Sequence, residues 1–291
     1  MIKEFAVEPE VMATWQHFRE IFDDLGVCHG RLVAIYPSDW IDRVRKRALD
    51  LSPPVRAAAI TERMRQTPNR FIRTVLAFDK GKDWLTNAEN HATPGEFDAV
   101  VARKNPRGKS RVLVAGEFSR GQPPWAAPTQ KELPRTPHDL LRCAKLLLAV
   151  SEELVLVDRN FDAVEERFRE PFAALVASRG AGKPWRRCEL HVAHPTDKAG
   201  ALDKTVLKSR IHHMRFHLPA LVPAGTTLEI FFWIRRPGGK RLHPRFILTE
   251  VGGLQPDYGL DEGDSVGDTT IVALMAESVW ETARADYCAT S

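Results

Sequence analysis

At 291 residues, with 43% hydrophobic and 27% charged residues, the chain has the composition of a soluble globular protein and the length for one large domain or two ordinary ones. Its net charge of +4 is too mild to argue for nucleic acid by itself. No apolar run approaches the roughly 20 residues of a membrane span, the start Met1-Ile2-Lys3-Glu4-Phe5 lacks a signal-peptide layout, and Cys28, Cys143, Cys188 and Cys288 show neither metal-ligand nor disulfide spacing, so the default is a cytoplasmic protein without a metal site or cofactor.

The N-terminal region, residues 1–135, reads as mainly helical with one hairpin. Val11, Met12, Trp15, Phe18, Ile21 and Phe22 form a helical stripe over 9–25. Ser38 and Asp39 are good cap types for a helix over 40–49, and Pro53 suits the first turn of another reaching about Arg65. Residues 71–78 predict a strand and 84–95 a loop. Residues 97–102 and 111–115 read as two strands of a hairpin, joined through Asn105-Pro106-Arg107-Gly108. Pro123, Pro124 and Pro128 make 121–128 a stiff linker.

Residues 136–291 form the second predicted domain. Thr136 caps a helix with Pro137 at its first position, and Leu154-Val155-Leu156-Val157, ending in Asp158, suits a central strand covered on both faces. A helix over 164–177, a strand over 188–192, a helix with Leu207, Ile211, Met214 and Leu218 inward, and a strand over 228–234 follow. A strand bearing His243, another near Ile271 and a helix from Glu277 to about Tyr287 complete an α/β (α+β) order, a mixed sheet with helices on both faces.

Lys240-Arg241-Leu242-His243-Pro244-Arg245 to Glu250-Val251-Gly252-Gly253 is the most informative segment. In a strand, positions i and i+2 share a face, so His243 and Arg245 point together. Glu250, at an odd offset, joins them only if the chain turns first, which the Gly252-Gly253 pair permits. Arg235, Arg236, Lys240 and Arg241 add cations suited to phosphate, although a basic run is also the ordinary make-up of a solvated hairpin.

These residues resemble the phospholipase-D-like superfamily, whose signature is histidine, any residue, lysine, four residues, aspartate; here it reads His243, Arg245, Glu250. The likeness is nearer to the single-motif branch that includes the C-terminal domain of MIT-domain proteins and small bacterial relatives. There a histidine-x-arginine strand is followed by a glycine turn and a Gly-Leu-Asp segment, here Gly259-Leu260-Asp261. The resemblance covers roughly residues 137–291 and implies a metal-independent phosphodiesterase, most simply a nuclease. His243 would be the nucleophile through a phosphohistidine, Arg245 the phosphate clamp and Glu250 the orienting carboxylate. Asp158, Gly259 and Asp261 would support the site. Arginine stands for lysine, glutamate for aspartate, and no second motif is present. A two-fold homodimer would bring two copies of His243 together, as single-motif nucleases of this superfamily do; His191, His194, His212, His213 and His217 are the candidates within one chain.

Two other functions fit the same residues. One is a non-catalytic phosphate-binding module for nucleic acid, a nucleotide or anionic lipid, with peripheral membrane contact. The other is a scaffold in a multi-gene bacterial system such as phage defence. Fold analogy does not choose among them. Asp158 can equally cap a turn, Asp261 sit in an acidic turn, and Trp233 stack a base or fill the core.

Overall fold

The structure, a computed structural model, describes residues 1–93, 95–180, 183–196, 201–234, 242 and 244–288. The chain divides into two compact units, Met1–Pro128 and Thr129–Ser291. Both are mixed α/β, and among the described residues no helix is long and apolar enough to cross a membrane.

In the first unit the chain runs β1 (Lys3–Val7), α1 (Pro9–Ala13), α2 (Trp15–Phe22), β2 (Arg31–Ile35), α3 (Trp40–Leu51), α4 (Pro54–Gln66), β3 (Phe71–Arg73), α5 (Trp84–Asn90), β4 (Ala99–Ala102) and β5 (Val112–Val114). The strands form a parallel sheet in the order β3-β2-β1-β4-β5. Alternation along the strands feeds two cores: Phe5, Val33, Ala99 and Val101 join the helical stripes of α1 to α4, while Ala6, Ala34, Val100 and Ala102 pack with Leu85 and Ala88 of α5.

This corrects the expectation of a mainly helical region with a hairpin. Strands β4 and β5 are parallel, pairing Val100 with Val112 and Val101 with Leu113. The predicted strand over 71–78 shortens to β3, and the predicted loop over 84–95 holds α5, whose cap Asp83 accepts the backbone N–H of Thr86 at 2.9 Å. The proline-rich 121–128 segment closes onto its own unit. Trp125 is buried against Phe5, ring centroids 4.7 Å apart, and its carbonyl accepts from Arg31 Nε at 2.9 Å.

In the second unit the elements are β6 (Gln130–Pro134), α6 (Pro137–Ala149), β7 (Glu153–Val157), α7 (Glu166–Val176), β8 (Arg187–Ala193), α8 (Lys204–His217), β9 (Leu228–Trp233), β10 (Phe246–Thr249), β11 (Gly252–Pro256), β12 (Thr269–Leu274) and α9 (Glu277–Cys288). The sheet order is β6-β12-β11-β10-β7-β8-β9. Strands β7, β8 and β9 are parallel, and the ladders from β10 through β6 are antiparallel. Because β6 pairs with β12, this unit begins before the predicted 135/136 boundary.

Strand β7 is central and fully buried, as its unbroken apolar run requires. Val155 and Val157 meet Phe246, Leu248, Ala283 and Tyr287 on the α9 face. Leu154 and Leu156 turn to the opposite face and are equally buried.

Candidate functional site

In a parallel α/β sheet functional groups gather beyond the carboxyl ends of the strands. For the first unit that crevice lies between β1 and β4, where the order reverses. It is filled by Glu8, whose carboxylate accepts the backbone N–H of Arg103 at 2.7 Å and pairs with its guanidinium at 2.7 Å. A carboxylate at this point is the wrong sign for a phosphate. A hollow of about 530 Å³ at the ends of β2 and β3 is lined by Tyr36, Asp39, Arg43 and Phe78 among others. Arg43 there is already held by Asp39 at 2.9 Å and lies over the Phe78 ring.

The second unit is different. Asp158 directly follows β7 and is 1% exposed. One carboxylate oxygen, Oδ1, accepts the backbone N–H of Asn160 at 2.9 Å, and Oδ2 accepts that of Leu260 at 2.9 Å. The antiparallel register of Phe246 with Val157 sets Arg245 at the same edge of the sheet as Asp158. Burial drives the Asp158 carboxyl up; the two backbone N–H groups and Arg245 pull it down, Asp261 pushes it up, and the balance is raised. Arg245 Nε is buried and makes no hydrogen bond among the described residues.

The loop after β11 runs along this edge. A Cβ on Gly259 would stand 3.1 Å from Asp158 Oδ2 and 2.3 Å from Asp261 Oδ1, so the two carboxylates close on the glycine from either side. Asp261 Oδ2 is gripped by Arg135 at 2.7 Å, with Arg167 at 3.7 Å. Arg135 Nε is a second buried donor without a partner. The edge thus holds Asp158, Gly259, Asp261 and Arg245 with Arg135 and Arg167, two arginines that the sequence reading did not single out. They lie far away in sequence, before α6 and in α7, and only the fold reveals them.

Glu250 does not join this group. It follows the other end of β10, where its Oε1 and Oε2 accept the backbone N–H groups of Glu152 (2.6 Å) and Glu153 (3.0 Å) at the start of β7. The chain turns after Thr249, and the turn carries the carboxylate to the opposite edge. His243, Arg235, Arg236, Lys240 and Arg241 lie outside the described residues.

Among the other histidines, His191 is wholly buried on β8. Its Nε2 meets Glu189 Oε2 at 3.0 Å, its Nδ1 accepts from Trp233 Nε1 at 2.8 Å, and its ring stacks on Phe231. Glu189 is paired in turn with Arg187 at 2.5 Å. With both ring nitrogens engaged, His191 is a core residue. Trp233 packs on the same cluster as Tyr287 rather than standing free to stack a base. His194 follows β8 and holds the Pro195 carbonyl at 2.8 Å, while His212, His213 and His217 lie on α8.

No protein-family model matches the chain, and no curated protein matches it. Among solved structures, TrmBL2, described as an archaeal chromatin protein with a novel mode of DNA binding, is 12% identical over 57% of this chain and 51% of its own, at a TM-score of 0.27. A polyphosphate kinase from Porphyromonas gingivalis is 12% identical over 81% of this chain and 33% of its own, also at 0.27. The chain thus spans about half or less of either protein's length. Similarity at this level carries no argument.

Proposed function

We propose that the second unit is a phospholipase-D-like domain that captures a phosphodiester at the β7–β10 edge. One observation carries this reading: Arg245 stands beside Asp158 at the carboxyl end of the central strand, with a buried guanidinium donor that none of the described residues satisfies. A buried N–H without an acceptor costs about 1–3 kcal/mol. A phosphate oxygen would remove that cost, and a guanidinium offers phosphate a two-point contact. The test is anisotropy of a labelled oligonucleotide on the full chain: Arg245→Ala should weaken binding and flatten its salt dependence. Equal binding by variant and wild type would sink the phosphate assignment.

A second reading adds bond cleavage, and the proximity of a buried carboxyl to Arg245 favours it. Here His243 attacks phosphorus, the leaving oxygen takes a proton, and water then hydrolyses the phosphohistidine. Asp158 takes the orienting role that the resemblance assigned to Glu250, and a two-fold homodimer supplies the second His243 as acid. Oligonucleotide or plasmid should then be cut in EDTA, His243→Asn should abolish the cutting, and the active species should have twice the chain mass. Identical digestion traces for wild type and variant would remove this reading and leave capture alone.

A further inference from the structure

Helix α8 looks inward with Leu207, Ile211 and Met214, followed by buried Leu218. Its outer surface has a second pattern. Lys204, Lys208, His212 and Arg215 recur at steps of four, four and three residues, which at 3.6 residues per turn confines them to an arc of about 80°. All four are exposed. The helix KTVLKSRIHHMRFH contains no Asp or Glu, and among the described residues Lys204, Lys208 and Arg215 have no carboxylate partner. One turn beyond His212 stands Phe216, a phenyl ring 74% exposed. Half of the described arginines of the second unit behave otherwise: Arg135, Arg142, Arg167, Arg186, Arg187 and Arg284 all hold carboxylates.

We propose that this stripe is a track for single-stranded nucleic acid, with Lys204, Lys208 and Arg215 against phosphates along one strand and Phe216 as a platform for a base. The proposal rests on the phosphodiester reading of the neighbouring edge. The stripe is about 16 Å long at 1.5 Å per residue, long enough to meet several phosphates of one strand. Uncompensated cations gain most from a polyanion, because each phosphate contact releases counterions. An exposed aromatic beside such cations is the combination that holds unpaired bases. A lipid surface fits less well. The apolar side of α8 is turned to the protein, and only Val206 and Phe216 among its large apolar residues are well exposed, too little to insert into a bilayer. Another face of α8 is fastened to the sheet end, where Arg210 donates to the carbonyls of Ala193 at 3.3 Å and of Phe161 at 3.3 Å.

The experiment uses the full chain and a fluorescein-labelled oligothymidylate of about 20 nucleotides, with anisotropy read across a salt series. The variants are the triple Lys204→Gln/Lys208→Gln/Arg215→Gln, Phe216→Ala and Arg245→Ala, each checked by circular dichroism for an unchanged melt. The triple variant should lower the slope of log affinity against log salt by about 2, roughly 0.7 for each lost cation. Phe216→Ala should weaken binding by about fivefold or more with the slope unchanged. If these variants bind like wild type while Arg245→Ala is weakened, the track is overturned and the phosphodiester edge stands. If the stripe variants weaken and Arg245→Ala does not, the track stands and the edge reading falls. A wild type that leaves the oligonucleotide free but sediments with vesicles of anionic lipid overturns the track.

Discussion

Trp233 donates its indole N–H to Nδ1 of His191 at 2.8 Å, and that bond decides where the imidazole carries its own hydrogen. An indole N–H only donates, so Nδ1 must accept, and the ring hydrogen sits on Nε2, directed at Glu189. Nitrogen-15 NMR at neutral pH should therefore show a bare Nδ1 and a protonated Nε2 for His191. The opposite tautomer would contradict the relay. Trp233→Phe should cost about 1 kcal/mol by removing one hydrogen bond.

Glu189 sets an acid limit on stability. Burial pushes its carboxyl up, but the hydrogen bonds from His191 and Arg187 outweigh this and hold it below the ordinary value of 4.5. A depressed carboxyl contributes stability that is complete above the unfolded value and is lost as pH falls through the folded one. Glu189→Gln should erase this part of the acid dependence. It should also cost about 2–3 kcal/mol at neutral pH by leaving Arg187 unpaired. Urea melts between about pH 3 and 7 read both; an unchanged acid limb would refute the assignment.

Asp158 has the opposite sign. Its raised carboxyl means that the folded chain holds this proton more tightly than the unfolded chain does, so its contribution declines as pH rises from 3.8 through the folded value and is constant above it. Carbon-13 NMR should place the Asp158 midpoint above 3.8. Asp158→Ala strands the buried N–H of Leu260 and should cost about 2 kcal/mol.

Gly259→Ala should act on the same edge from the other side. The new Cβ displaces the Asp261 carboxylate, which Arg135 holds at 2.7 Å, so we expect a loss of about 1–3 kcal/mol. Oligonucleotide affinity should fall with it. Wild-type stability and binding in this variant would show that the loop is not a close-fitting part of the site.

Glu250→Ala separates architecture from chemistry. Its carboxylate satisfies the N–H groups of Glu152 and Glu153, so the variant should lose about 1–2 kcal/mol in a thermal melt. Oligonucleotide binding should remain as in wild type, and a selective loss of binding would restore Glu250 to the site.

What could be read from the amino acids alone follows burial. The run Leu154 to Val157 announced a central strand because only such a strand is apolar on both faces. Asp158 and the Gly259-Leu260-Asp261 segment were grouped from the sequence, and the fold sets them side by side. Strands β1 and β2 were missed because each is only five residues long, begins with a basic residue and lies among stronger helical stripes. The turn chemistry of Asn105 to Gly108 masked the parallel pairing of β4 and β5, although both are largely buried, as a parallel strand must be. Glu250 falls at the far end of β10 from Arg245, bonded to the start of β7, because spacing along a strand says nothing about where the strand stops. The Arg187-x-Glu189-x-His191 alternation was available as a pattern, but its charged residues hid that this face is interior.

Strand β6 is made at the start of the second unit and pairs with β12, Thr269 opposite Pro134, near its end. During synthesis it must therefore wait for nearly the whole unit to appear before its backbone finds a partner. Its sequence suits that wait: in Gln130-Lys131-Glu132-Leu133-Pro134 only Leu133 is buried, so the nascent edge offers neighbouring chains little to adhere to.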